Sequence, residues 1–132
     1  MSKSKTQIPN KFIACVTVIN FAFFIFFLSA IPDLKSSFDT TIDIIFRKIV
    51  HATEFGILAY LIYILFSNYR ISLKKSIFYA LIFALIYALT DEYHQSFVPG
   101  REMSLIDFLI DSTGIIMVSV LLRFKIKNRK IK

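Results

Sequence analysis

Charge is scarce in this chain: only 19% of its 132 residues are Asp, Glu, Lys or Arg, while 56% are hydrophobic and phenylalanine alone fills 15 positions. A soluble domain of this length would have to leave much of that apolar surface in water, which invites aggregation. The composition therefore excludes an ordinary soluble fold and makes lipid the better solvent. Cysteine is nearly absent as well. Cys15 stands alone, which rules out an intramolecular disulfide and a cysteine-based metal site. It reads as a small apolar residue inside a hydrophobic run. No internal repeat, glycine-rich phosphate loop or long linker interrupts residues 1–132, which read as a single domain, and no cofactor is expected.

What the chain does have is long apolar runs. Phe12 to Ile31 carries no charge and spans about 30 Å as a helix, enough for the hydrocarbon core of a bilayer. Ile49 to Phe66 is apolar apart from His51, Glu54 and two tyrosines. Ile77 to Leu89 is short alone, but Ser76 and Thr90 lengthen it and Lys75 can snorkel to the interface. Leu105 to Leu122 is interrupted by Asp107 and Asp111. The expected fold is all-α: a bundle of four transmembrane helices over about 12–31, 49–66, 76–91 and 105–122, followed by a basic tail at 123–132. Lys3, Lys5 and Lys11 ahead of the first run, with Ser29-Ala30 behind it, also resemble a secretory signal, but the run is longer than such signals carry.

The formal charge of +7 is unevenly placed. Lysines precede the first run; Arg70, Lys74 and Lys75 fill the second connection; Arg123, Lys125, Lys127, Arg129, Lys130 and Lys132 close the chain. The positive-inside rule then predicts that both termini and the second connection are cytoplasmic, with the first and third connections outside. The basic tail reads as a topology anchor against anionic lipid, and no aromatic-interleaved basic surface points to nucleic acid. Between Pro32 and Val50, Phe38, Ile42, Ile45, Phe46 and Ile49 recur at helical spacing, with Asp39, Asp43 and Arg47 on another face. That pattern predicts an interfacial extension of the second helix, capped by Asp39 or Thr40.

With this topology the ionisable residues collect near one leaflet. His51 and Glu54 open the second span on one helical face, Asp91 and Glu92 end the third, and Asp107 and Asp111 open the fourth. Asp91 and His94 share a face if the third helix runs on one turn. Ser104, Asp107, Asp111 and Gly114 form a narrow stripe of polar and small residues suited to close helix contact. Ionisable groups in a span are costly and face the bundle interior or a water-filled cavity, so one outward-facing pocket between the last three spans is expected. Each residue also has a structural role to weigh. Ser104 and Asp107 fit a capping box, Pro99-Gly100 fits the centre of a type II turn, Arg101 has Glu102 beside it, and His94 reads equally as a solvated loop residue. Glu54 and Asp111, a full turn inside their spans, have the fewest such explanations.

The stretch DEYHQSFVPGREMSLIDFLIDSTG, residues 91–114, resembles a signature of the VanZ-like family, carried here by Asp91, Glu92, Gln95, Phe97, Pro99, Arg101, Asp107 and Gly114. KIVHATEFGIL, with Lys48, His51, Glu54 and Phe55, resembles that family's second-span pattern. The resemblance implies a multi-pass protein of the bacterial plasma membrane, in a family whose namesake is associated with resistance to teicoplanin-type glycopeptides.

Three functions compete for the pocket of His51, Glu54, Asp91, Glu92, Gln95, Arg101, Asp107 and Asp111. It can bind an envelope ligand such as a glycopeptide, a lipid-linked wall precursor or a phospholipid head, with Arg101 making a bidentate contact to phosphate or carboxylate. It can be a membrane-embedded hydrolase or transferase acting on a headgroup. That enzyme would use either a carboxylate-histidine metal site or a desolvated Glu54 or Asp91 as general acid or base. A proton or cation path ranks last, because the cytoplasmic halves of the spans lack ionisable groups and a relay needs both sides.

Overall fold

The computed structural model describes residues 10–32 and 41–129, except for the side chain of Arg129. The proposed caps Asp39 and Thr40, the residues before Asn10 and the basic residues Lys130 and Lys132 lie outside the described residues. Four helices account for most of the rest: α1 Lys11–Ser29, α2 Thr41–Ser67, α3 Leu73–Gln95 and α4 Leu105–Arg129. All four are long and apolar enough to cross a membrane.

Each apolar run forms the greater part of one helix; α1 stops two residues short of its run, at Ser29, while α2 and α3 extend beyond theirs at both ends and α4 beyond its C-terminal end. Asn10 accepts a hydrogen bond from the Phe12 N–H and starts α1. In the same way Ser72 accepts from the Lys75 N–H, so α3 begins ahead of its apolar run and takes in Lys74 and Lys75. At its other end α3 continues past Thr90 to Gln95, because Asp91, Glu92 and Gln95 are buried against neighbouring helices rather than solvated. The helix α2 is already formed at Thr41, and over its first turns Ile42, Ile45 and Phe46 face outward. At 27 residues it is about 40 Å long, more than a hydrocarbon core requires. Beyond Leu122, α4 continues as helix through the basic residues to Arg129.

The helices alternate in direction. Ala22 meets Tyr87, Phe26 meets His94 and Ser29 meets Asp91, so α1 and α3 run parallel. Lys48 meets Asp107 and His51 meets Asp111, so α2 and α4 also run parallel. Phe66 packs on Tyr79 and Phe83 while Phe55, three turns earlier, reaches Tyr87, which makes α2 antiparallel to α3. At the first end of the bundle the Lys11 ammonium sits 4.7 Å from the centre of the Tyr69 ring, tying the start of α1 to the end of α2. Helices α2 and α3 form the centre, with α1 on one side and α4 on the other; α1 and α4 do not touch among the described residues.

The core is thin, and its α3 side is made of small groups. Ala80, Ala84 and Ala88 form one buried line along α3, facing Phe55, Leu58, Ala59 and Ile62 of α2, with Ile25 and Ile115 closing the sides. A line of alanines lets helix backbones approach closely, which drives association where lipid tails are as apolar as leucine. The larger hydrophobic residues point the other way: Phe12, Phe23, Phe27, Phe78 and Phe83 are all more than half exposed. That inversion, small residues inside and large apolar ones outside, is the surface of a protein in contact with lipid hydrocarbon.

Candidate functional site

Alternating helix direction brings the ends of α1 and α3 and the early turns of α2 and α4 to one end of the bundle. The alanine line of α3 continues there, still at helical spacing, as Asp91, Glu92 and Gln95. All three are buried, with Glu92 only 1% exposed. A buried carboxylate needs hydrogen-bond donors, and each acid finds one from another element. The Ser29 hydroxyl of α1 donates to Asp91 Oδ2 at 2.8 Å, and Gln95 Nε2 donates to the same oxygen at 2.8 Å. The other end of the Gln95 amide accepts from Arg101 Nη1 at 3.2 Å. A chain of polar contacts thus runs from α1 through α3 to Arg101 in the connection.

That connection is built by local chemistry. The Arg101 N–H donates to the Val98 carbonyl at 3.1 Å, and Gly100 has φ of 81°, which makes Val98–Arg101 a type II turn with glycine at the position that needs positive φ. Ser104 then caps α4 by accepting from the Asp107 N–H at 3.2 Å. The reciprocal half of the expected capping box is made differently. The Ser104 N–H donates to Glu92 Oε2 at 2.9 Å, so an acid of α3 satisfies the start of α4. Asp107 is left available and forms an ion pair with Lys48 of α2.

Close contact between α2 and α4 sets the remaining geometry. A Cβ on Gly114 would overlap the Ala52 carbonyl oxygen, and one on Gly56 would lie 3.2 Å from the Gly114 oxygen. The backbones therefore touch through Ala52, Gly56 and Gly114. One turn away, His51 Nδ1 lies 3.2 Å from both carboxylate oxygens of Asp111. An ionised carboxylate only accepts, so Nδ1 is the donor in this contact. Asp111 is 1% exposed and His51 24%, so the acid is the buried partner that orients the ring. Glu54, one turn further along α2, has no hydrogen bond among the described residues.

Between these helices lies a cleft of about 740 Å³. Of the residues singled out from the sequence, His51, Glu54, Glu92, Gln95, Arg101, Asp107 and Asp111 line it. Asp91 does not: it stands behind Gln95, bonded to it and to Ser29. Leu28, Ile44, Val50 and Ile110 supply an apolar wall, and Arg47, Lys48 and Glu102 also reach the cleft. Two polar atoms in its lining are buried without a hydrogen-bond partner, Glu92 Oε1 and Arg101 Nε.

His94 is a half-buried helix residue rather than a loop residue, and it is not part of the cleft lining. It lies within α3 and its ring stacks on Phe26 of α1, centroids 4.1 Å apart. The paired carboxylate-histidine arrangement that suggested a metal site does not assemble, because His94 turns to α1 while His51 turns to α4. Among the described residues no group of three or more His, Cys, Asp or Glu is placed to hold an ion. Ser29, Lys48 and Phe26 are the participants that sequence reasoning did not assign to the pocket. Lys48 was within reach of it: Lys48, His51 and Glu54 are spaced at i, i+3 and i+6, one face once the helix is known to start at Thr41. Ser29 and Phe26 carried no comparable local signal.

The geometry defines a class: a four-helix bundle with a lipid-compatible exterior and a charged cleft at one end, made by helices that can each cross a membrane. Compared with models of known families, the chain matches VanZ/LLP1 over residues 2–126, nearly its whole length, and it belongs to that family. No curated protein and no solved structure matched it.

Proposed function

We propose that this protein acts in the bacterial cell envelope by holding a polar envelope ligand in the cleft at the α2–α4 end, and that it contributes in this way to tolerance of teicoplanin-type glycopeptides. The observation that carries the reading is the convergence of ten polar or ionisable residues from α2, α3, α4 and the 96–104 connection on one cavity. Positioning that many charges in an otherwise apolar bundle is costly, and the costs are offset only partly by contacts within the protein. The distribution of Lys and Arg supports both termini being cytoplasmic, which would open the cleft to the outside. Family membership supports the envelope setting. The test is single alanine replacement of His51, Glu54, Asp91, Arg101 and Asp107, scored for glycopeptide tolerance alongside membrane insertion. Loss of tolerance with normal insertion is expected at His51, Glu54 and Arg101; wild-type behaviour of all five variants would remove the pocket from the function.

A second reading, a membrane-embedded hydrolase or transferase acting on a lipid headgroup or lipid-linked precursor, is favoured by the His51–Asp111 contact. A buried acid that fixes the ring leaves His51 Nε2 as a positioned general base in a cleft that also holds a guanidinium. The nucleophile would come from the ligand or water. Turnover of headgroup-labelled lipid by the purified protein, lost in His51→Gln, would establish it; binding without turnover would retire it.

A further inference from the structure

The two unpartnered buried atoms in the cleft lining have opposite hydrogen-bonding sense. Glu92 Oε1 is an acceptor on a side chain 1% exposed, its other oxygen already engaged by the Ser104 N–H. Arg101 Nε is a donor on a guanidinium whose one hydrogen bond among the described residues goes to the neutral Gln95 amide rather than to an acid. A buried donor and a buried acceptor each carry a desolvation cost until something meets them. A water molecule can meet either atom but leaves both formal charges uncompensated, and an anion alone suits Arg101 while repelling Glu92. What meets both is a group with negative oxygens at one end and N–H donors at the other.

Charge balance points the same way. Among the other charges of the cleft, Asp107 is paired with Lys48, and Asp111 has His51 Nδ1 as its hydrogen-bond partner. Arg47 and Glu102 also reach the cleft. Within it Glu54 has no hydrogen-bonded partner, and the Arg101 guanidinium has no acidic one, among the described residues, so the acids Glu54 and Glu92 and the cation Arg101 are those available to a ligand. The apolar wall of Leu28, Ile44, Val50 and Ile110 borders the same space, so the ligand has a hydrocarbon part. Resting on the reading of the cleft as a binding site, we propose that it takes an amphiphile whose headgroup joins a phosphodiester anion to a primary ammonium, the phosphate on Arg101 and the ammonium on Glu92 and Glu54. A guanidinium suits a phosphate oxygen pair, and a carboxylate suits an ammonium with N–H to give. A quaternary ammonium is disfavoured by the same geometry: it has no N–H for Glu92, and among the described lining residues Phe46 is the single Phe, Tyr or Trp, too few for an aromatic cage.

The test is thermal stability of the full-length protein in detergent with short-chain dihexanoyl phosphatidylethanolamine, phosphatidylcholine, phosphatidylglycerol or free phosphoethanolamine. The phosphatidylethanolamine is expected to raise the unfolding temperature in a saturable way, with at least tenfold weaker apparent affinity for the other two lipids and for the free headgroup. Arg101→Gln and Glu54→Gln, neither in the buried core, are each expected to weaken the phosphatidylethanolamine response about tenfold while leaving the unliganded protein folded. Equal responses to all three lipids, or responses unchanged in both variants, would overturn the proposal. Free phosphoethanolamine binding as tightly as the lipid would overturn the amphiphile and leave a soluble amino-phosphate. A response to a lipid-linked wall precursor or a glycopeptide, with none to phosphatidylethanolamine, overturns the zwitterion while the binding-site reading survives; that reading fails separately, through alanine variants that keep full tolerance.

Discussion

Glu92 of α3 caps the start of α4: its Oε2 accepts the Ser104 N–H at 2.9 Å, across twelve residues of chain, while Ser104 itself accepts from Asp107. The 96–104 connection is thereby pinned at both ends, and its Arg101 is held over the cleft. Losing the acceptor strands a helix-start N–H that is partly buried, a cost of about 1–2 kcal/mol. Glu92→Ala is expected to lower the unfolding temperature in detergent and to speed proteolysis between Ser96 and Ser104. Glu92→Gln, which keeps an accepting oxygen, should lose much less stability; equal loss in both would assign the effect to something other than the cap.

The α2–α4 contact predicts an order of glycine substitutions. Gly114→Ala places a methyl group into the Ala52 carbonyl, and backbone cannot move aside as a flexible side chain can. Overpacking of this kind costs about 1–3 kcal/mol. Gly56→Ala meets the Gly114 oxygen at 3.2 Å and a Val118 methyl at 3.3 Å, which smaller shifts relieve. Thermal unfolding of the two variants should therefore rank Gly114→Ala as the more damaging, and the reverse order would disprove this account of the crossing.

His51 and Asp111 are a partly buried pair, and such pairs are more sensitive to losing one member than both. His51→Leu leaves the Asp111 carboxylate without its donor in a nearly dry setting, with an expected loss of about 3 kcal/mol. The double change His51→Leu with Asp111→Leu should be closer to wild type than His51→Leu alone, measured as unfolding temperature in one detergent. A double variant that is additively worse would mean the two residues are not coupled.

The Lys48–Asp107 pair calls for the opposite expectation. Its side chains are 37% and 39% exposed, so screening limits it to about 1 kcal/mol or less. Lys48→Met and Asp107→Asn should shift stability little and near-additively with other surface changes, and the shift should shrink in high salt. A loss beyond about 2 kcal/mol for Lys48→Met would show a burial that these exposures do not convey.

Orientation is open to a direct measurement because Cys15 is the one native cysteine. With Cys15→Ala as background, single cysteines at Ser96 and at Asn128 are expected to react differently with a membrane-impermeant maleimide on intact cells, Ser96 labelled and Asn128 protected until lysis. Labelling of Asn128 instead would invert the proposed topology and turn the cleft to the cytoplasm.

Much of this molecule was legible in its sequence, and for a physical reason. Helices that face lipid must bury their own backbone hydrogen bonds and carry long apolar runs, so the four helices announce themselves residue by residue. Local chemistry was equally readable: the Pro99-Gly100 turn depends on one positive-φ glycine, and the Ser104 cap on one hydroxyl next to its own helix. The acids stood out because lipid makes them expensive wherever they occur.

The tertiary structure decided who meets whom, since that depends on the rotation and depth of each helix, which hydropathy leaves undetermined. Asp91 and Glu92 are neighbours in sequence, yet a rotation of about 100° per residue turns one toward Ser29 of α1 and the other toward Ser104 and the cleft. His94, i+3 from Asp91, stacks on Phe26, and Asp107 gives up its place in the capping box for Lys48. The sequence by itself determined that costly charges would cluster at one end of an apolar bundle, because composition and spacing settle where polar groups lie along each helix. Only packing, through the Gly114–Ala52 contact and the alanine face of α3, decided which of those charges satisfy one another and which are left facing the cleft.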